Sequence, residues 1–203
     1  GGAADELPHT DLPLYVYAAN GQTVPAAIAH LTYRLADADA TALELAIGWP
    51  PHETPVRLIG LFTSSSSAAY ALWCEAVAAG RVYPKETFFL DDQDMTAASV
   101  WLAGQVAAYY PGMLDAVFAE TGALAVAALH QELGQGRDDF EIFSAGTDSS
   151  VLPVLSAVLP AAVGADEEQA GSLCFTAAAA LLAGETVSSA ELTPTTFQFS
   201  GNP

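Results

Sequence analysis

The chain has 203 residues, 52% of them hydrophobic, enough for one large domain or two small lobes around a substantial core. Five Lys and Arg stand against 24 Asp and Glu, a net charge of −19. Phosphate recognition needs clustered cations, so this segment is not expected to bind nucleic acid or to dock on anionic lipid. DNA could be reached only through a segment outside this chain.

Two cysteines, Cys74 and Cys174, make neither a disulfide framework nor a metal cluster. Both fall in predicted helices and read as buried free thiols. The longest apolar run, residues 173–183, is broken by Thr176 and is too short to cross a bilayer, so no membrane insertion is expected. The opening Gly1-Gly2-Ala3-Ala4-Asp5-Glu6 lacks the charged and apolar regions of a secretory signal.

In chain order, residues 12–17 (LPLYVY) predict a strand ended by Asn20-Gly21. Residues 24–48, rich in Ala and Leu with Asp37, Asp39 and Glu44 spaced through them, predict mostly helix. The three prolines of residues 49–55 (WPPHETP) mark a connector. A regular alternation follows: strand 56–62, helix 66–79, strand 87–90, helix 95–109, strand 115–119, an almost wholly apolar and hence buried helix 122–133, strand 140–144, short helix 150–157, short strand 161–164 and long helix 166–183. Strand–helix alternation of this kind predicts an α/β fold, a doubly wound parallel sheet. Pro160 predicts an edge position for the strand it precedes. The expected organisation is a remnant of an N-terminal lobe over 1–52, a C-terminal α/β lobe over 53–165, and a long helix and tail over 166–203 that return towards the first lobe.

Open parallel sheets bind ligands beyond the carboxyl ends of their strands. The residues just past the predicted strands are Thr63 to Ser67, Asp91 to Asp94, Glu120-Thr121, Gly146-Thr147-Asp148 and Ala165-Asp166, nearly all hydroxyls and carboxylates. Such groups suit a polyhydroxylated ligand, because carboxylates accept from sugar hydroxyls and Ser or Thr can donate or accept. The same residue types are also the preferred helix N-caps, and capping is the competing reading for Ser64 to Ser67, Asp94, Thr121 and Asp166. Catalytic templates are missing: there is no G-x-S-x-G, Walker A loop, G-x-G-x-x-G or H-E-x-x-H. His9, His30, His52 and His130 are scattered, and His130 on its apolar helix reads as structural. Asp91, Asp92 and Asp94 lack the EF-hand pattern and read as a turn plus a cap. No metal, cofactor or catalytic residue is expected.

Four segments carry a family resemblance. Residues 115–133, DAVFAETGALAVAALHQEL, resemble the strand, Asn-Asp pair and apolar helix of lac-repressor-type and ribose-binding-type proteins. Residues 140–148, FEIFSAGTD, resemble that family's strand ending in Gly-x-Asp. Residues 161–185 are similar to its last long helix with a closing Gly-Glu, and residues 192–200, LTPTTFQFS, to its terminal stretch, with Phe199 where regulators carry Arg. Residues 12–17 resemble the last strand of its N-terminal lobe, whose earlier strands have no counterpart here. The resemblance implies the fold of type 1 periplasmic binding proteins, a two-lobed domain that closes on ligand, and a homodimer.

It also implies ligand-binding roles for Ser64, Ser66, Trp73, Asp92, Glu120, Thr121, Asp148 and Asp166. Of these Asp148 matches cleanly. The family's sugar-gripping Arg is replaced by the run Ala68 to Trp73, a usual Gln by Ala165, and the Asn-Asp pair by Glu120-Thr121. These departures point away from a standard pyranose and towards a smaller, more apolar or cationic ligand; two acids without an Arg favour an amine or a polyol over a sugar acid.

Three functions are open on this reading. The first is the small-molecule effector-binding domain of a lac-repressor-type regulator, cytoplasmic and not an enzyme, favoured by the LTPTTFQFS stretch. The second is an extracytoplasmic solute-binding protein of a transporter, favoured by the acidity. The third is a hydrolase or transferase, which fold alone does not exclude.

Overall fold

The computed structural model describes residues 15–18, 29–33, 35–49, 55–90, 94, 96–97, 100, 104–105, 108–135, 139–147, 152–156 and 160–198. In chain order the elements are β1 (Val16–Ala18), β2 (His30–Tyr33), α1 (Leu35–Gly48), β3 (Val56–Phe62), α2 (Ala68–Ala78), β4 (Val82–Phe89), β5 (Ala116–Ala119), α3 (Gly122–Gln135), β6 (Glu141–Thr147), α4 (Leu152–Leu155), β7 (Ala161–Gly164), α5 (Glu167–Leu182), β8 (Ala190–Leu192) and β9 (Thr195–Gln198). They fall into two compact units, one of residues 1–37 and 165–195, the other of 38–164 and 196–203.

The larger unit is built on a six-stranded sheet of order β4-β3-β5-β6-β7-β9. The pairs β3–β4, β3–β5, β5–β6 and β6–β7 are all parallel, as the strand–helix alternation predicts. The central strands are buried along their whole length: β5 (AVFA) and β7 (AAVG) have no exposed residue, and only Arg57 of β3 is not buried. Strands covered on both faces read as continuous apolar runs, which is why 56–62 is legible without an alternating pattern.

Successive side chains go to opposite faces. Ile59, Leu61, Val117, Ala119 and Ile142 form one core with Leu124 to Ala128 of α3. On the other face Phe62 packs edge-on against Trp73 of α2 at 5.6 Å, Trp73 stacks on Phe118 at 6.4 Å, and Phe62 lies 5.9 Å from Phe118. Gly60 sits beneath this cluster. A Cβ there would lie 2.5 Å from the Phe62 ring, so the close approach of the rings requires glycine.

The amino edge of this sheet is clamped by Arg57. Its backbone N–H and Nε donate to Asp115 Oδ2 at 2.7 and 3.0 Å, a third bond joins its guanidinium to Asp115 Oδ1, and Nη1 donates to the Gly112 carbonyl at 2.7 Å. Asp115 is 8% exposed and the Arg57 side chain 40%. Asp115→Ala is expected to lower stability by about 2 kcal/mol in urea unfolding, less than the ~3–5 kcal/mol of a fully buried pair because water reaches the guanidinium.

The smaller unit holds a three-stranded parallel sheet of order β1-β2-β8 and α5. Leu31 and Leu192 are buried in it, and the Ser189 hydroxyl accepts from the His30 backbone N–H at 3.1 Å. Both α2 and α5 close with a glycine at positive φ, Gly80 (69°) and Gly184 (79°), whose neighbours tie back to the last carbonyls (Arg81 N–H to Ala76, Glu185 N–H to Ala180), the left-handed C-terminal stop that favours glycine.

Several expectations are corrected. Residues 24–48 are not one helix: His30–Tyr33 is a strand, and helix begins at Leu35. Four residues of HLTY in an Ala-rich setting carry too short a period to read, and their pairing partners β1 and β8 are remote in sequence. Of the predicted strand 12–17 the described part is strand from Val16, which runs on to Ala18, and residues 12–14 lie outside the described residues. β4 begins at Val82 rather than 87, its Pro84 tolerated because β4 is an edge strand whose register shifts beside it. β7 after Pro160 is not an edge, because β9 from the tail lies beyond it. Cys74 is exposed and Cys174 half-buried; α2 turns Ala69, Trp73 and Ala76 inward, which leaves Cys74 outside. The predicted helix 95–109 falls largely outside the described residues.

Candidate functional site

The carboxyl ends of β3 and β5 lie side by side, since Leu61 pairs with Ala119. The chain leaves β3 through Thr63 and the serine turn, and leaves β5 through Glu120. Glu120 is 7% exposed. Its Oε2 accepts from the Thr63 backbone N–H at 2.6 Å and from the Thr63 hydroxyl at 3.0 Å, which fixes the carboxylate across the gap between the two strands. A carboxylate held by two donors is set in one orientation at the sheet edge.

The serine turn is ordered by its own hydroxyls. Ser64 and Ser66 share a hydrogen bond of 2.8 Å, the Ser66 backbone N–H donates to Ser64 Oγ at 3.1 Å, and Ser67 caps α2 by accepting from the Tyr70 N–H at 3.1 Å. Ser66 is exposed and Ser64 partly so, which leaves both hydroxyls open to a ligand.

The same unit holds a second buried acid. Asp39, in the first turns of α1, is 1% exposed, and its Oδ1 has no hydrogen-bond partner among the described residues. Burial, and then the negative charge of Glu120, push its pKa up to about 7. Two carboxyls in one low-dielectric setting resist joint ionisation, so Asp39 retains its proton well above the usual carboxylate range. The sequence carried a signal for this residue. Asp39, Ala42, Leu43 and Ala46 are spaced i, i+3, i+4, i+7 and all four are buried, so Asp39 interrupts the apolar stripe of α1. Thr63 was visible only as one more hydroxyl past a strand.

The described cations lie elsewhere. Arg57 and its partner Asp115 mark the amino edge of the sheet. Arg81, just before β4, makes a bidentate pair with Glu44 (2.8 Å for one bond), and Lys85 in β4 lies 5.1 Å over the Tyr83 ring. Among the described residues the carboxyl edge of β3 and β5 therefore presents carboxyls and hydroxyls without a positive side chain.

Of the expected ligand residues, the larger unit brings Ser64, Ser66, Glu120 and Thr121 to this edge. Thr121 serves as a cap, its Oγ1 accepting from the Leu124 N–H at 3.3 Å. Asp166 belongs to the other unit and caps α5, accepting from the Gln169 N–H at 3.0 Å. Trp73 is 2% exposed inside the aromatic cluster, so its ring is core rather than a ligand contact: its place on α2 faces the sheet. Asp92 and Asp148 lie outside the described residues. Asp94 caps the turn at Ala97, accepting from its N–H at 3.0 Å. Among the described residues no group of three or more His, Cys, Asp or Glu could hold a metal ion, and no helix is long and apolar enough to cross a membrane.

No protein-family model matches the sequence, and no curated protein matches it. Solved structures do match in fold. A sugar ABC transporter structure from Yersinia enterocolitica superposes with a TM-score of 0.69 at 14% identity, over 93% of this chain and 59% of that one. A sugar-binding transcriptional regulator of the LacI family from Enterococcus faecalis gives 0.59 at 14% identity, over 92% and 69%. The Caulobacter myo-inositol binding protein, bound to myo-inositol, gives 0.59 at 18% identity, over 96% and 68%. This chain thus has the mixed α/β, mostly parallel-sheet fold of the type 1 periplasmic binding proteins, and spans about 59% of the length of the Yersinia structure.

Proposed function

We propose that this chain is the ligand-binding part of a small-molecule sensor, a lac-repressor-type regulator that holds a sugar or polyol-like effector at the carboxyl edge of the six-stranded sheet. The observation that carries this reading is the edge itself: Glu120 locked by Thr63, beside the open hydroxyls of Ser64 and Ser66. Carboxylate and hydroxyl groups fixed by the fold can meet ligand hydroxyls without further ordering. The fold neighbours support it, because their own descriptions name sugar and myo-inositol ligands.

In this reading the protein binds and does not catalyse, works in the cytoplasm as a homodimer, and meets DNA through a segment outside this chain. The terminal LTPTTFQFS stretch favours the regulator. The alternative, an extracytoplasmic solute-binding protein, is favoured by the net charge of −19. A thermal-shift panel of sugars, polyols, nucleosides and amino acids tests the reading, since a ligand of the native state raises the Tm by mass action. At least one polyhydroxylated compound is expected to raise the Tm, with the shift lost in Glu120→Gln. A well-folded chain that responds to none of them, or a shift untouched by that substitution, would sink it.

A further inference from the structure

We propose that Tyr70 and Phe89 form an apolar subsite at the carboxyl edge of the six-stranded sheet, so that the molecule held there joins a hydroxylated ring to a flat apolar ring, as in an aryl glycoside. The inference rests on the reading that this edge binds a polyhydroxylated ligand, and adds what that ligand carries at its other end.

Phe89 is the last residue of β4 and pairs in register with Phe62, the last residue of β3; the Leu90 N–H then donates to the Phe62 carbonyl at 2.8 Å. Tyr70 stands in the first turn of α2, where its backbone N–H donates to the Ser67 hydroxyl of the serine turn at 3.1 Å. The Tyr70 and Phe89 rings meet edge-on at 5.1 Å, and both lie against the Phe62 ring, at 5.3 and 6.2 Å. Phe62 is 0% exposed, Phe89 46% exposed and Tyr70 half-buried, so the inner ring is sealed while the outer two reach the surface. Single exposed apolar side chains are ordinary, whereas a joined pair of rings beside fixed polar groups is the composition of a ligand site.

The strand order β4-β3-β5 sets three kinds of group in a row along this edge: Phe89 with Tyr70, then Ser64 and Ser66, then Glu120 held by Thr63. Neighbouring strands are about 4.8 Å apart, so the row from β4 to β5 is about 10 Å long, enough for two joined rings. The hydroxyls of one ring meet Ser64, Ser66 and Glu120. The second ring lies against Phe89 and Tyr70, where offset and edge-on contacts between aromatic rings are favoured. A ligand of hydroxyls alone leaves the aromatic pair in water.

The test is calorimetric titration of the 203-residue chain with two matched pairs, phenyl against methyl β-D-glucoside and phenyl against methyl β-D-galactoside, with benzyl alcohol as the apolar control. At least one phenyl glycoside is expected to bind about tenfold more tightly than its methyl counterpart. Phe89→Ala and Tyr70→Ala should each erase that preference. Tyr70→Phe, which keeps the ring, should retain it, and so should Tyr110→Ala, which removes a 77% exposed ring from the turn before β5. A preference that survives both ring deletions, or that Tyr110→Ala also abolishes, overturns the subsite. Benzyl alcohol binding as tightly as the phenyl glycosides overturns it too, because the rings would then be an apolar surface unconnected to the hydroxyl groups. Methyl glycosides binding as well as phenyl ones overturn the subsite and leave the polyol reading intact. No binding of any glycoside overturns the subsite, and the wider panel then decides the reading on its own.

Discussion

Phe118→Ala is expected to lower the stability of the larger unit by about 3–5 kcal/mol, the usual range for deleting a fully buried aromatic ring. Phe118 is 0% exposed on the short central strand β5. Its ring lies 5.9 Å from Phe62 and stacks on Trp73 at 6.4 Å with an interplanar angle of 17°. Phe62 in turn touches Tyr70 and Phe89, so one deletion opens a cavity among rings anchored on three strands and a helix. Neither Gly60, which has no side chain, nor the β-sheet backbone can move in to fill it, and the cost of a cavity grows with the volume left open. Urea unfolding followed by tryptophan fluorescence reads the change directly, because Trp73 is part of the cluster. A loss below about 1 kcal/mol would mean that the rings repack and that the cluster is not a fixed core.

Asp39→Asn is expected to stabilise the protein, with an effect that depends on pH. The folded-state pKa is about 7 against a reference of 3.8. Between those values the folded chain keeps a proton that the unfolded chain has released, so the wild type loses stability as pH rises through this window and levels off above it. Three units correspond to a ceiling of about 4 kcal/mol, and relaxation around the charge brings the expected gain of the variant to about 2 kcal/mol at around pH 8. The gain should shrink to nothing below about pH 3, where both states hold the proton. Parallel denaturation curves across this range check it: a pH-independent difference would show that Asp39 ionises normally.

How much of this was legible in the sequence varied with the range of the interactions involved. The strands 56–62 and 161–164, and the start of the helix 122–133, where Leu124 to Ala128 are buried, were readable because burial leaves a continuous apolar run. The capping hydroxyls and carboxylates at Ser67, Thr121 and Asp166 were readable because a cap acts on its own helix three residues on. The strand-end rule located Ser64, Ser66 and Glu120 at one edge before any contact was known.

The sequence by itself therefore determined the α/β class, the order of the main elements and the chemistry of the strand ends, since all three follow from periodicity and short-range capping. Only the tertiary structure decided the rest. β2 exists because β1 and β8 flank it, and β7 is interior because β9 returns beside it. Trp73 belongs to the core because α2 faces Phe62 and Phe118. Glu120 meets Thr63 from 57 residues away, and no local pattern encodes that meeting. Pairing between remote segments depends on which surfaces the fold brings together, and a sequence pattern of period two or 3.6 carries no information about its partner.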